Sequence, residues 1–418
     1  MSKLLCTFVA IFVKLLQFYS TREVMVFSLE IHYIIWLLLG MALLLSLVWV
    51  VWYNRRSMRL LKFMKVEERT RRYLFPEDLP SVSILVFAND DETWLNKFLP
   101  TLMQQKYPSP FEVIMLDDAS VDGTKDLVGE MMAYYDHLKI VTVPDQTRAL
   151  SRKKLAVMLG IKAAQHDVVL TTNANCQVHS DRWLMAMMRN FGPGVDVVLG
   201  YSHFAHKEDN RLGKTYRIFD DMVTSMQWLV SAINGKPYRG TSDNLAYRKE
   251  LFYKNKGFSN SIDKKWGDDD IFISEIATGQ NTRLEILPAS FMTAHYDDLP
   301  HAFSTLKSRR DFTSHFVKYK SQFRTQAFMS LLYYLRLAAI ASAVVLAYTN
   351  LAVIAMAALI LLFTWLPSML TTFRNCYLLH LPLLFFSTPV MVLVRPFVNS
   401  YYKIKGLFTR KNNYTSIM

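Results

Sequence analysis

The chain has 418 residues, 51% of them hydrophobic, and a formal net charge of +13, enough for one domain of about 200–250 residues plus membrane segments. A charge of that sign would suit nucleic acid, but its distribution argues against that partner, because the basic residues crowd beside an apolar run. Cys6, Cys176 and Cys376 are far apart and show no metal spacing, which fits a reduced compartment rather than a disulfide scaffold.

Residues 1–30 form an N-terminal segment whose apolar stretch, 3–19, is interrupted by Lys14, so whether it spans a membrane stays open. Residues 31–53 carry no charge, long enough to cross a hydrocarbon core of roughly 30 Å. The short apolar region and small-residue cleavage site of a secretory signal are not evident. Then follow Arg55, Arg56, Arg59, Lys62, Lys65, Arg69, Arg71 and Arg72, against only Lys3, Lys14 and Arg22 before the span. That asymmetry predicts a basic juxtamembrane linker over 54–80 and a cytosolic domain beyond it, with anionic lipid headgroups as neighbours.

From Ser81 onward short β-branched runs alternate with helical stretches. Strands are expected at 82–88, 111–116, 138–143, 167–172 and 195–201, and helices at about 93–105, 124–136, 151–165 and 181–190. Such alternation predicts an α/β domain over 81–300 with a mostly parallel sheet, whose ligands gather at the carboxyl ends of the strands. Beyond Gly235 the pattern is irregular, apart from a helix at about 268–278 and a strand at 282–287. Residues 301–325 mix Phe303, Leu306, Phe312 and Phe316 with Lys307, Arg309 and Arg310 and predict an amphipathic interfacial helix. The C-terminal membrane region, 326–418, opens with an apolar hairpin, 326–371, in which Arg336 is expected to snorkel. A third apolar segment, 378–395, precedes a basic tail; a full span there would break the positive-inside rule, and a re-entrant or interfacial hairpin would satisfy it.

The residues just after each strand carry the chemistry. Asn89-Asp90-Asp91-Glu92 follows the first and Asp117-Asp118-Ala119-Ser120-Val121-Asp122-Gly123 the second; taken alone, such acidic clusters serve equally as turns and helix caps. Lys153 and Lys154 open a helix where a cation could meet a phosphate. Asn173-Ala174-Asn175 follows the fourth strand, and Gly267-Asp268-Asp269-Asp270 opens a late helix. Of these aspartates, one desolvated by its neighbours could have the raised pKa that a general base needs.

VSILVFANDDE, EVIMLDDASVDGT, RKKLAVMLGIKAA, VVLTTNANC, GTSDNLAYRKELF and GDDDIFI, in that order, resemble the motifs of family 2 inverting glycosyltransferases with a GT-A fold, of the membrane-anchored bacterial type. The resemblance covers roughly 80–325 and implies a GT-A, Rossmann-like nucleotide-sugar domain between transmembrane helices. It also implies a donor site at Asp91 and Asp118, with Asp90 and Asp117 as register alternatives, and Lys153 against the base or diphosphate. The acceptor-side loop falls on Gly240 to Asn244, and the catalytic base on Asp269, with Asp268 as alternative.

Departures from the family pattern matter at two places. Its metal motif, Asp-x-Asp, is replaced by Asn173-Ala174-Asn175, leaving amide oxygens where Mn²⁺ or Mg²⁺ prefers carboxylates. A weakened divalent site, metal-independent catalysis and an inactive or partner-dependent chain all stay open. The acceptor-gripping Gln-x-x-Arg-Trp falls on Leu306-Lys307-Ser308-Arg309-Arg310, which keeps Arg309 to stabilise a leaving diphosphate but loses Gln and Trp. The expectation is a non-processive enzyme of the bacterial inner membrane, with its catalytic domain in the cytoplasm. It would move a sugar, UDP-linked for preference, to a lipid-linked or glycan acceptor in cell-envelope polysaccharide synthesis. The competing reading is a non-catalytic nucleotide-sugar-binding scaffold in a glycan-assembly complex.

Overall fold

The computed structural model describes residues 2–71, 79–144, 151–206 and 211–415. Arg72 and the part of the expected linker from 72 to 78 lie outside the described residues. The chain divides into two compact units, one of residues 1–55 and 325–371, the other of 56–324 and 372–418.

Chain order begins with helix α1 (Ser2–Arg71), so the described part of the basic juxtamembrane stretch, up to Arg71, is helical. The α/β region then runs β1 (Val82–Ala88), α2 (Glu92–Met103), β2 (Phe111–Asp117), α3 (Thr124–Met132), β3 (Leu138–Thr142), α4 (Arg152–Ala163) and β4 (Val168–Asn173). Shorter elements follow: β5 (Cys176–Val178), α5 (Trp183–Met188), β6 (Val197–Leu199) and β7 (Ser202–Phe204). Next come α6 (Lys214–Ile233), β8 (Leu245–Arg248), α7 (Lys249–Lys254), α8 (Asp270–Ile276), β9 (Thr282–Leu284) and β10 (Met292–Ala294). The chain closes with α9 (Leu299–Thr313), α10 (Ser321–Leu346), α11 (Leu351–Leu378) and α12 (Thr388–Thr415).

In the first unit, Ile35, Leu39 and Ala42 repeat at helical spacing and meet Ala339, Ile340 and Ala343 of α10 and Val353, Ala357 and Ile360 of α11. Alanines on each helix let the backbones approach closely, as membrane helix packing requires. Leu37, Leu44, Leu331, Leu335, Leu359 and Leu362 point outward, an apolar surface suited to lipid rather than water. Among the described residues, Glu30–Thr70, α10 and α11 are long and apolar enough to cross a membrane. Arg336 does not snorkel: it is fully buried, 4.3 Å from the centroid of the Tyr333 ring.

In the second unit a seven-stranded sheet has the order β3-β2-β1-β4-β8-β6-β9. β1 pairs parallel with both β2 and β4, whereas β8 runs antiparallel to β4 and β6. Both faces are covered, so alternate residues of β1 enter different cores: Val82, Ile84 and Val86 on one side, Leu85 on the other. β1 lies between strands that follow it on either side, so the crevice at its carboxyl end is where such a sheet takes a ligand. Because β8 is antiparallel, the loop that leads into it, 240–244, arrives at that same edge. A second sheet, β5-β10-β7, stands beside it.

α6 was not among the expected helices, although Ile218, Phe219, Met222, Val223, Met226, Leu229 and Val230 keep a helical period and are buried. α9 also differs from expectation. It ends at Thr313, and its basic residues turn inward rather than toward headgroups. Lys307 donates to Asp220 on α6 at 3.0 Å, and Arg309 pairs with Asp268. Buried aspartates supply the counter-charge that an interfacial helix would seek from lipid. Among the described residues, the segment 378–395 does not form one of the helices long and apolar enough to cross a membrane. α11 ends at Leu378, the chain turns, and α12 packs against α6 and α9 with Arg395 donating to Asp220 at 2.8 Å.

Candidate active site

The loops after β1 and β2 are tied to each other by backbone amides. Asp90 sits in the left-handed region, φ 54°, which an aspartate tolerates better than a branched residue. There its Oδ1 accepts from the amides of Val121 at 2.7 Å and Asp122 at 3.4 Å, and its own N–H donates to Ser120 Oγ at 3.1 Å. Asp117 is buried at the end of β2, where it accepts from the Ser120 amide at 3.1 Å. Asp118 receives the Arg152 guanidinium at 2.6 Å. Asp91 lies between these loops and the cavity, and burial raises its carboxyl above the usual range.

The adjacent lysines that open α4 part company. Ser151 caps the helix, so positions 153 and 154 fall in its first turn and point different ways. Lys154 is fully buried and donates to the carbonyls of Ser261 at 2.5 Å and of Lys264 and Trp266 at 3.0 Å, which pins the loop leading to the aspartate triplet. Lys153 lines the cavity and donates to Asn173 Oδ1 at 2.7 Å and Ser242 Oγ at 2.9 Å.

Gly267, at φ 107°, turns the chain into Asp268-Asp269-Asp270; a Cβ there would lie 2.4 Å from Ile271 Cδ1. All of these aspartates are buried. Arg309 reaches from α9 to bind Asp268 at 3.0 Å and Asp269 as well. Asp270 receives Arg239 at 2.8 Å and the Thr313 hydroxyl at 2.9 Å. The neighbours split the carboxyls. Burial would raise Asp268, but the Arg309 guanidinium and then Lys153 hold it below its ordinary value. Burial dominates at Asp269, and despite Arg309 its carboxyl is pushed up to about 6, with Asp270 and Asp268 adding to the rise. A carboxylate with such a pKa, facing a cavity, suits proton abstraction near neutral pH.

Asn173 and Asn175 were the residues expected to meet a metal. Asn173 Oδ1 already accepts from the Lys153 ammonium, and its Nδ2 donates to Asp243 Oδ1 at 2.5 Å. Asn175 Nδ2 donates to the His295 carbonyl at 2.6 Å. A divalent ion sharing the Asn173 oxygen would stand about 4 Å from the ammonium, a repulsion of about 8 kcal/mol at an effective dielectric constant of about 20. Among the described residues no group of three or more His, Cys, Asp or Glu side chains is placed to hold an ion. The Asn173 oxygen, already bound to an ammonium, is therefore a poor ligand for a divalent cation.

Together these elements enclose a cavity of about 480 Å³. Of the residues expected in the site, Asp90, Asp91, Lys153, Asn173, Asn175, Gly240, Asp269 and Arg309 line it. Asp117, Asp118 and Asp268 stand behind that lining. Asn244 does not reach it: the side chain is fully buried, donates to the Tyr201 and Ser290 carbonyls and accepts from Trp183 Nε1. Sequence reasoning missed Trp94, Arg239 and His295, which also line the cavity. Trp94 is one turn from Asp91 on α2, a spacing that could have singled it out; Arg239 and His295 lie in loops whose register nothing local reveals.

Residues 81–260 match the family model described as Glycosyl transferase family 2. Over 146 residues the chain is 27% identical to the glycosyltransferase AglE of Haloferax volcanii, covering 34% of this chain and 46% of that protein. Over 107 residues it is 34% identical to a beta-monoglucosyldiacylglycerol synthase of Nostoc, covering 25% of this chain and 22% of that one. The chain thus spans less than half the length of these curated relatives. Among solved structures, the mannosyltransferase PcManGT of Pyrobaculum calidifontis, in complex with GDP-Man and Mn²⁺, superposes with a TM-score of 0.50 at 17% identity, over 85% of this chain and 99% of that one.

Proposed function

Since residues 81–260 match the glycosyl transferase family 2 model, in a GT-A fold accompanied by apolar helices of membrane-spanning length, we propose that the protein is a membrane-bound inverting glycosyltransferase. It moves a sugar from a nucleotide sugar, UDP-linked for preference, to a lipid-linked or glycan acceptor in the cell envelope. The observation that carries this reading is the Asp269 carboxyl, raised to about 6 and facing the same cavity as Asp91 and Lys153. The nucleoside lies along Asp90 and Asp91, with Asp117 and Asp118 holding that loop pair. The acceptor hydroxyl gives its proton to the Asp269 carboxylate as its oxygen bonds to the anomeric carbon. The bond from that carbon to the diphosphate oxygen breaks from the opposite face, its electron pair leaves on the diphosphate, and the centre inverts. Arg309 keeps Asp269 oriented and offers positive charge near the departing group.

Transfer of a single sugar is favoured over polymer threading. The slots where processive enzymes carry Gln and Trp hold Leu306 and Arg310, so the indole of that motif is replaced, although Trp94 and Trp228 line the same cavity. The basic residues after the first apolar span favour an inner membrane with the α/β domain on the cytoplasmic side. Purified full-length protein, screened for nucleoside diphosphate release from UDP-, GDP- and dTDP-sugars with membrane lipid extracts, tests the reading. Turnover of one donor is expected; neither binding nor turnover of any would remove it. The scaffold alternative predicts donor binding without turnover in the same screen.

A further inference from the structure

Taking the donor-binding reading as its premise, we infer that the Lys153 ammonium is the site's own cation for the diphosphate, so that the nucleotide binds without a metal ion. Lys153 Nζ stands where the main parts of the site converge. It donates to Asn173 at the end of β4 and to Ser242 in the loop before β8, and lies 3.8 Å from Asp268 Oδ2 and 5.0 Å from the centroid of the Phe87 ring at the end of β1. Its hydrogen-bonding partners are neutral oxygens, and its charge is offset by Asp268 at 3.8 Å and, less directly, by Asp269. Arg309, by contrast, is shared between Asp268 and Asp269, and Arg239 is bound to Asp270.

The amide at 173 belongs to the same arrangement. Its oxygen must face the ammonium and its NH2 must face Asp243, the single orientation that satisfies both neighbours. A carboxylate at 173 would instead stand 2.5 Å from that of Asp243, two like charges that a bridging cation or a shared proton would have to reconcile. Asn173 removes that repulsion and leaves Asp243 held by Asn173 and by the hydroxyls of Ser202 at 2.7 Å and Thr241 at 2.9 Å. Lys153 and Asn173 together thus hold Asp243 and leave a positive charge in the site without an added ion. Incoming phosphate oxygens replace the neutral partners of Lys153 with a charge-assisted pair.

The test is isothermal titration of UDP and GDP into the full-length protein in detergent, with excess EDTA or with Mn²⁺. Affinity for the preferred nucleotide is expected to agree within about threefold between the two conditions. Lys153→Met should weaken binding about tenfold or more in both, in protein that still unfolds in one cooperative transition, and Lys153→Arg should restore most of it. Asn173→Asp should make binding stronger in Mn²⁺ than in EDTA by about tenfold. Wild-type binding that vanishes in EDTA and returns with Mn²⁺ overturns the inference and leaves the donor-binding reading standing. So does an unchanged affinity in Lys153→Met. Absence of binding to either nucleotide in both conditions overturns the reading and the inference together.

Discussion

Carboxylates are held in two different ways on the two sides of the cavity. On the β1–β2 side, Asp90 and Asp117 are held by backbone N–H groups from a few residues of adjoining loop. On the α8 side, Asp268, Asp269 and Asp270 are buried and held by guanidinium groups delivered from Arg239 and Arg309, distant in sequence. Amide donors fix the geometry of these two loops. Guanidinium partners in a dry site set charge as well, and with burial they drive Asp268 and Asp269 in opposite directions. The first side is therefore built to hold a ligand and the second to handle a proton.

The sharpest way to break that contrast is Asp269→Asn. Transfer should fall about 10²–10⁴-fold, as expected for loss of a general base, while UDP or GDP affinity stays close to wild type. Equal losses in turnover and in nucleotide affinity would place Asp269 among the holding groups instead. The same carboxyl sets the acid limb of the pH profile. With its value raised to about 6, the base form is present above that pH, and the rate should fall about tenfold per unit below it. A profile flat down to pH 5 would contradict the assignment.

Stability separates the two sides next. Asp270→Asn leaves Arg239 buried with its charge unmatched, and unfolding free energy should drop by about 3–5 kcal/mol. Asp118→Asn breaks a pair in which Arg152 is 29% exposed, so the loss should stay below about 1 kcal/mol. Denaturant unfolding of the detergent-solubilised protein compares them directly. Equal losses would show that burial does not distinguish these pairs.

What the sequence made legible follows the same division. The strand at 82–88 and the acidic turns after β1 and β2 could be placed because alternation, turn residues and caps are local signals. The aspartate triplet was visible as chemistry, yet its split into a lowered Asp268 and a raised Asp269 was not, because Arg309 arrives on α9 and Arg239 on a loop. Lys153 and Lys154 look alike in sequence. Only tertiary structure sends one into the cavity and the other under the 261–266 loop. The inward turn of Lys307 and Arg309 was hidden for a related reason: Asp220, the partner of Lys307, lies on α6, and the partners of Arg309, Asp268 and Asp269, lie at the start of α8. An amphipathic pattern reports which residues are charged, and the position of the opposite charge decides whether they face lipid or core.

The smallest expected effect tests whether the β1–β2 side depends on shape alone. At Asp90 the Oδ1 atom accepts two backbone amides and the backbone is left-handed, and an asparagine can supply both features without charge. Asp90→Asn should therefore change unfolding free energy by no more than about 0.5 kcal/mol. Asp90→Val loses the acceptor and strains a branched residue at positive φ, so a loss of about 1–3 kcal/mol is expected. If Asp90→Asn were as damaging as Asp90→Val, charge would govern this loop too, and the division between a holding side and a proton-handling side would have to be redrawn.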